Sequence, residues 1–331
     1  MRKAMRRALA AIMAFFLAVT VTPAAQAANR DWLRADSTGH CEWDQAQYWV
    51  QYCTVWSPSM EKHIPVHIQP AARGGNAGLY LLDGMRALPD RSAWTTDVNA
   101  GEVFADSNIT VVMPAGGAGS FYSDWDGPAT FDTKNPVKYR WETFLTQELP
   151  SYLETNFGVA KNNNSIAGLS MGATAAISLA AKHPGQFKQA ISWSGYLTTT
   201  QPGMQTLLRL ALLDVGGFNI LTMYGSTVNP RRFENDPFWN MGGLKNTDVY
   251  ISSGSGIPGA ADAGYPTGQK ISGALLEWFS GYSTTIWETK ARAQGLHVTA
   301  DYPKYGLHNW QNWRDQIWRT KPRILDVMNA H

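Results

Sequence analysis

Cysteine is scarce in this chain. Cys41 and Cys53 are the only two in 331 residues, too few for a thiolate metal cluster, and no His-x-x-Glu-type spacing supplies another ligand set. We therefore expect neither a metal site nor a cofactor. Charge is also sparse, at 16% of residues against 44% hydrophobic. That balance excludes a disordered polyelectrolyte and leaves enough apolar material for a large core. No internal repeat, linker or low-complexity stretch divides the chain, so one domain over residues 28–331 is the simplest organisation.

The amino-terminal residues are set apart. Arg2, Lys3, Arg6 and Arg7 precede an apolar run from Ala8 to Val21 and a small-residue cleavage pattern, Ala25-Gln26-Ala27. This is the pattern of a secretory signal peptide over residues 1–27, and the run is short for a membrane span. Its removal takes away four basic residues and no acidic one, turning the formal net charge from +2 to −2. The excess of positive charge thus belongs to the export signal, and nothing points to a nucleic-acid partner. In an exported chain the close pair Cys41 and Cys53 reads as a disulfide.

What is present organises itself around Gly168-Leu169-Ser170-Met171-Gly172. The pattern G-x-S-x-G alone is weak. Here, however, it follows a short β-like run and opens an alanine-rich helix reaching about His183, the setting of a nucleophile elbow. Upstream, residues 46–57 and 61–69 read as an opening antiparallel pair. GLYLLDGMRA and the stretch from Asn108 to Trp125 each give a buried strand emptying into a glycine-bearing loop. A helix over 139–157, bent or interrupted at Pro150, precedes the elbow, and a strand over 187–195 follows it. Residues 197–246 break into short helical pieces that suggest a cap. A strand at 248–253, a helix over 269–294, a strand HVTADYP and a closing helix from near His308 complete the chain. Alternating strands and helices predict an α/β-hydrolase fold: a mostly parallel sheet, helices on both faces and a helical cap.

An acyl-transfer serine needs a base, an acid to hold that base, and two N–H donors for the oxyanion. Among the histidines after Ser170, His183 ends a helix, His297 lies within a strand and His331 is terminal. His308, on a loop after the last strand, is the candidate base. For the acid, Asp262 follows the penultimate strand, whereas Glu277 sits in an apolar stretch of helix where a carboxylate is costly without a partner. Spacing leaves the two level. The Met171 N–H and the Met85 N–H are the expected oxyanion donors, and Asp83 and Arg86 flank the latter, in reach of a polar substrate.

The strings LYLLDGMRA, VVMPAGGAGSFYSDW, YRWETFLTQELP, GLSMG, AAKHPGQF and HNW, in that order, closely resemble the mycolyltransferases of the mycobacterial antigen 85 complex and their corynebacterial relatives. The similarity runs from about Pro58 to about Trp313. It implies an exported enzyme that moves a mycolyl chain from trehalose monomycolate to a second trehalose monomycolate or to arabinogalactan, in contact with the outer cell envelope. It also implies a Ser-Glu-His triad, Ser170, Glu277 and His308, which breaks the tie in favour of Glu277. The implied oxyanion donors are Met85 and Met171, and the implied sugar contacts are Asp83, Arg86 and Trp310. The chain departs from the family in three places, one of them the stretch 197–246, which should help form the acyl tunnel and acceptor site, so acyl length and acceptor identity transfer least. The family's cysteine pair is missing from residues 126–138, and the aromatic segment associated with fibronectin binding is replaced by TTDVNAGEVFADSN, so that activity is not expected here. On residues alone, a secreted carboxylesterase or thioesterase fits the same elbow, and an inactive scaffold binding envelope or matrix is the alternative from a different class.

Overall fold

The structure, a computed structural model, describes residues 30–331; the expected signal peptide lies outside the described residues. Nine strands form one sheet in the order β1-β2-β3-β5-β4-β6-β7-β8-β9. The first three, β1 (Glu42–Trp43), β2 (Gln51–Ser57) and β3 (Lys62–Gln69), are antiparallel, and β3 pairs antiparallel with β5 (Ile109–Pro114). From β5 onward, β4 (Ala77–Leu82), β6 (Asn164–Leu169), β7 (Phe187–Trp193), β8 (Asp248–Ser252) and β9 (Val298–Asp301) run parallel.

The near-continuous apolar runs read as buried strands are so because both faces of the sheet are covered. Alternate side chains divide between two cores. Tyr80, Leu82, Val112 and Ile166 face one core, shared with helices α3 (Leu149–Phe157) and α4 (Met171–Lys182). Leu79, Leu81, Val111, Met113 and Leu169 face the other. That second core is closed by α1 (Ala93–Thr96), α2 (Ala100–Val103) and α9 (Trp310–Met328). The segment TTDVNAGEVFADSN contributes Val98, Val103 and Phe104 to it. Helix α3 is entered through a π turn, Phe144–Glu148, which ends just before Pro150. The proline has no N–H to continue the ladder, so the expected interruption falls there.

The cap consists of α5 (Met204–Gly216), α6 (Ile220–Tyr224) and α7 (Pro230–Glu234), followed by α8 (Thr267–Ala293). The antiparallel opening differs from expectation. Residues 46–50, rich in aromatics and read as strand, form a tight turn with Gln47, Tyr48 and Trp49 all at positive φ, and β2 begins only at Gln51. Tyr48 and Trp49, whose aromatic character mimics a strand, stay exposed on the turn. The two-residue edge strand β1 is too short to carry any periodic signal.

Strand order reverses between β4 and β6: β5 lies on one side of β4, and β6 with its successors on the other. The loops after these two neighbours diverge and leave a crevice at the carboxyl edge. Leu82 lies in register with Gly168, Leu169 with Trp193, and Trp193 with Ser252. Residues Asp83, Ser170, Ser194 and Ser253 therefore leave the sheet side by side.

Candidate active site

Ser170 sits between β6 and α4 with φ 53° and ψ −118°, a backbone conformation that L-residues adopt only under constraint. The constraint is visible in the two glycines. A Cβ on Gly168 would stand 2.4 Å from Gly172 backbone atoms, and one on Gly172 would stand 2.5 Å from the carbonyls of Leu82 and Asp83. Only with hydrogen at both positions can the turn tighten and lift the serine hydroxyl off the sheet edge.

The His308 loop is docked on α8, its main-chain N–H donating to the Gly273 carbonyl at 3.1 Å. His308 Nδ1 meets Glu277 Oε2 at 2.8 Å, and its Nε2 lies 2.9 Å from Ser170 Oγ. With a carboxylate acceptor on Nδ1, that nitrogen carries the proton, and Nε2 is left to accept from the serine hydroxyl. The ring is held edge-on against Trp313, with centroids 5.0 Å apart. Glu277 is 0% exposed. Its Oε1 accepts from Ser194 Oγ at 2.8 Å, Gly254 N at 2.5 Å and Ser253 Oγ at 3.2 Å. This ring of donors answers the desolvation that makes a buried carboxylate expensive.

Asp262, the rival acid, is also buried but turned elsewhere. It accepts from Gly259 N at 2.8 Å and from Asn309 Nδ2 at 2.7 Å. Asn309 is the N-cap of α9, accepting from Asn312 N, so Asp262 steadies the residue next to His308 while Glu277 meets the imidazole itself.

The other expected residues differ in placement. Met171 is the first helical residue, with no carbonyl a turn behind it to receive its N–H. Met85 lies in the turn after β4, where its carbonyl accepts from Gly119 N. Asp83 is 1% exposed. Its Oδ2 accepts from Ala93 N at 3.1 Å, and its Oδ1 has no hydrogen-bond partner. Burial pushes this carboxyl up to about 7 against the hydrogen bonds that oppose the shift. Arg86 points the other way: it is 71% exposed and pairs with Asp214 of α5 at 2.5 Å. Trp310 packs edge-on against Trp94 and Trp313. Sequence reasoning missed Ser194, Ser253 and Gly254. Ser194 leaves β7 at φ 56° and links Glu277 to Trp313 Nε1, which donates to it at 3.2 Å; the only sequence hint is a Ser-Gly pair at a strand end.

Beneath the cap and beside Phe121 runs a slot lined by Leu208, Leu212, Ile220 and Met223, with a volume of about 30 Å³. Thr199, Thr200, Gln205, Arg232 and Asn235 also line it, and it has room for no more than about one or two waters.

Comparison with known proteins bears on this geometry. The family described as "Putative esterase" matches residues 57–324. Ag85A of Mycobacterium tuberculosis, named a diacylglycerol acyltransferase/mycolyltransferase, is 39% identical over 284 residues, 85% of this chain and 82% of that protein. The chain belongs to the antigen 85 mycolyltransferase family. Ag85C of Mycobacterium leprae, with the same functional name, is 36% identical and covers 85% of this chain and 83% of its own. Among solved structures, M. tuberculosis MPT51 (FbpC1) superposes with a TM-score of 0.73 at 29% identity, over 84% of this chain and 98% of that one. The serine hydrolase FphF of Staphylococcus aureus, at 15% identity and TM-score 0.63 over 83% and 96% of the two chains, shares the fold.

Proposed function

We propose that the protein is an exported acyltransferase that moves a mycolyl chain from trehalose monomycolate to a second trehalose monomycolate or to arabinogalactan, through an acyl-enzyme on Ser170. The observation that carries this reading is the unbroken run of contacts from Ser170 Oγ through His308 to buried Glu277, in a chain 36–39% identical to named mycolyltransferases.

Ser170 Oγ attacks the ester carbonyl while its proton passes to His308 Nε2. Glu277 holds the ring and stabilises the imidazolium. The carbonyl oxygen, now an oxyanion, receives the N–H groups of Met171 and Met85. The ester C–O bond breaks, and the proton on His308 goes to the leaving trehalose oxygen. An acceptor sugar hydroxyl then gives its proton to His308 and attacks the acyl carbonyl; the bond to Ser170 Oγ breaks, and His308 returns the proton to that oxygen. Asp83, Arg86 and Trp310 are the sugar contacts in this reading; Asp83 Oδ1 is buried without a partner and Arg86 is tied to Asp214, so both side chains must turn toward the crevice to meet sugar hydroxyls. The slot under α5 and α6 accepts an acyl chain only when those helices part; they would then shelter the acyl-enzyme from water. Among the described residues no helix is long and apolar enough to cross a membrane.

Incubation with trehalose monomycolate tests the assignment. Accumulation of trehalose dimycolate and free trehalose is the expected result, and mass spectrometry should find the acyl group on Ser170. Free mycolic acid as the sole lipid product would make the protein an esterase instead.

A further inference from the structure

A second cleft, of about 540 Å³, opens between the β1–β2 hairpin and residues 90–96, which lead into and form α1. Its size falls in the range of small-molecule sites, about 300–1,000 Å³. The wall is stiff. Gln47, Tyr48 and Trp49 close the hairpin with φ of 64°, 48° and 62°, a run of left-handed residues that persists only where the surroundings impose it. Gln69 Nε2 imposes it by donating to both the Tyr48 and the Gly101 carbonyls at 2.7 Å. The Arg30 guanidinium lies 4.3 Å over the Trp49 ring, and the Cys41–Cys53 disulfide ties the hairpin's base.

The lining is aromatic and acidic, yet its charge is largely answered. Asp44 accepts from Ala46 N at 2.7 Å and from His67 Nδ1 at 2.8 Å. His67 Nε2 accepts from Ser92 N at 3.2 Å, so both ring nitrogens are used. Asp90 lies 3.5 Å from Arg91. Glu42 alone has no ion pair among the described residues. Trp43, 48% exposed, offers an open indole. Burial, then Asp90, Glu42 and Asp44, push the Tyr52 phenol above its ordinary value, so its hydroxyl stays a donor. Among the described residues no group of His, Cys, Asp and Glu is arranged to hold a metal ion, and Arg91 opposes a polycation. An apolar ring face with acceptors and donors at its edge matches a sugar, whose C–H face can lie on indole while its hydroxyls meet carboxylate and phenol. The cleft also touches the catalytic loop indirectly: Ser92 N–H goes to His67 in its wall, and the next N–H, of Ala93, goes to Asp83.

We propose that this cleft is a second binding site, distinct from the acyl-transfer centre, for an uncharged oligosaccharide chain, stacked on Trp43 and hydrogen-bonded by Glu42 and Tyr52. The inference does not rest on the acyl-transfer reading, and its test needs no turnover. Calorimetric titration of the chain carrying Ser170→Ala with maltohexaose and with arabinogalactan-derived oligosaccharides should show saturable binding. Adding Trp43→Ala should weaken that binding at least tenfold, and adding Glu42→Gln severalfold, with the thermal midpoint unchanged. Glu42→Gln, a conservative change at an exposed edge, keeps the test available if Trp43→Ala fails to fold. No binding, binding indifferent to both substitutions, or Glu42-dependent binding of oligolysine in place of sugar would overturn the proposal and leave the reading of Ser170 untouched.

Discussion

Glu277 and Arg86 both lie beside the same crevice, one behind His308 in its floor and one tied to a cap helix at the surface, and they are held in opposite ways. Glu277 is fully buried, with a donor for each oxygen supplied by β7, the β8 loop and His308. Arg86 is largely exposed and has a single partner, Asp214, on a cap helix. Glu277 is overdetermined by its donors, whereas Arg86 ties to α5 through one exposed pair, although α5 and α6 also send Leu212, Ile220 and Met223 into the core. Reaction chemistry needs atoms fixed to a few tenths of an ångström, whereas admitting a long acyl chain needs helices that can separate. Substitutions in the two regions should therefore differ in kind as well as in size.

The largest effect is expected from Ser170→Ala, which should lower acyl transfer by about 10⁴-fold or more; near-normal transfer by that variant would remove the floor from the mechanism. Glu277→Gln comes next, at roughly 10²–10⁴-fold in kcat, because an amide nitrogen must then face His308 Nδ1–H or one of the donors on Oε1. Steady-state assay on a short soluble ester checks it apart from acyl-chain binding.

Asp83→Asn tests the floor through pH. The buried carboxyl titrates near 7 in the folded protein against 3.8 for an ordinary aspartate. Between those values the unfolded chain is ionised and the folded one is not, so Asp83 subtracts stability as pH rises from about 4 to 7, and the penalty is complete above 7. Unfolding by denaturant should find the asparagine variant more stable by up to roughly 4 kcal/mol at pH 8, with no difference near pH 4. A pH-independent difference would mean that the carboxylate finds a partner in solution.

Ser194→Ala removes a hydrogen bond to a buried charge, worth about 1.5–3 kcal/mol. Its expected signature is a fall in kcat of about tenfold with little change in KM. The smallest effect belongs to the cap. Arg86→Ala should change stability by less than about 1 kcal/mol, as for other exposed ion pairs, and its effect should fall on the KM for the sugar substrate. A larger loss of stability would show the cap to be as tightly tied as the floor.

Much of this organisation was legible in the chain. The central strands β4 and β5 announced themselves as short apolar runs, and the elbow as a serine between glycines where a strand becomes a helix. Pro150 marked the break in its helix because a missing N–H acts locally. The turn at Gln47 to Trp49 was misread as strand because aromatic residues suit a pleated surface but also sit exposed on a turn held by distant contacts such as that of Gln69 with the Tyr48 carbonyl. The family resemblance, rather than spacing, favoured Glu277 over Asp262.

The chain alone was enough to order the strands and helices and to single out a candidate nucleophile and, by elimination, a candidate base, since a strand, a helix or an elbow is written in neighbours within a few residues. Only the tertiary structure decided which carboxylate faces His308, that Asp83 turns inward while Arg86 turns out, and that an aromatic cleft stands beside α1. Those outcomes depend on which side of a helix or loop the sheet buries, and that is set by segments tens of residues apart.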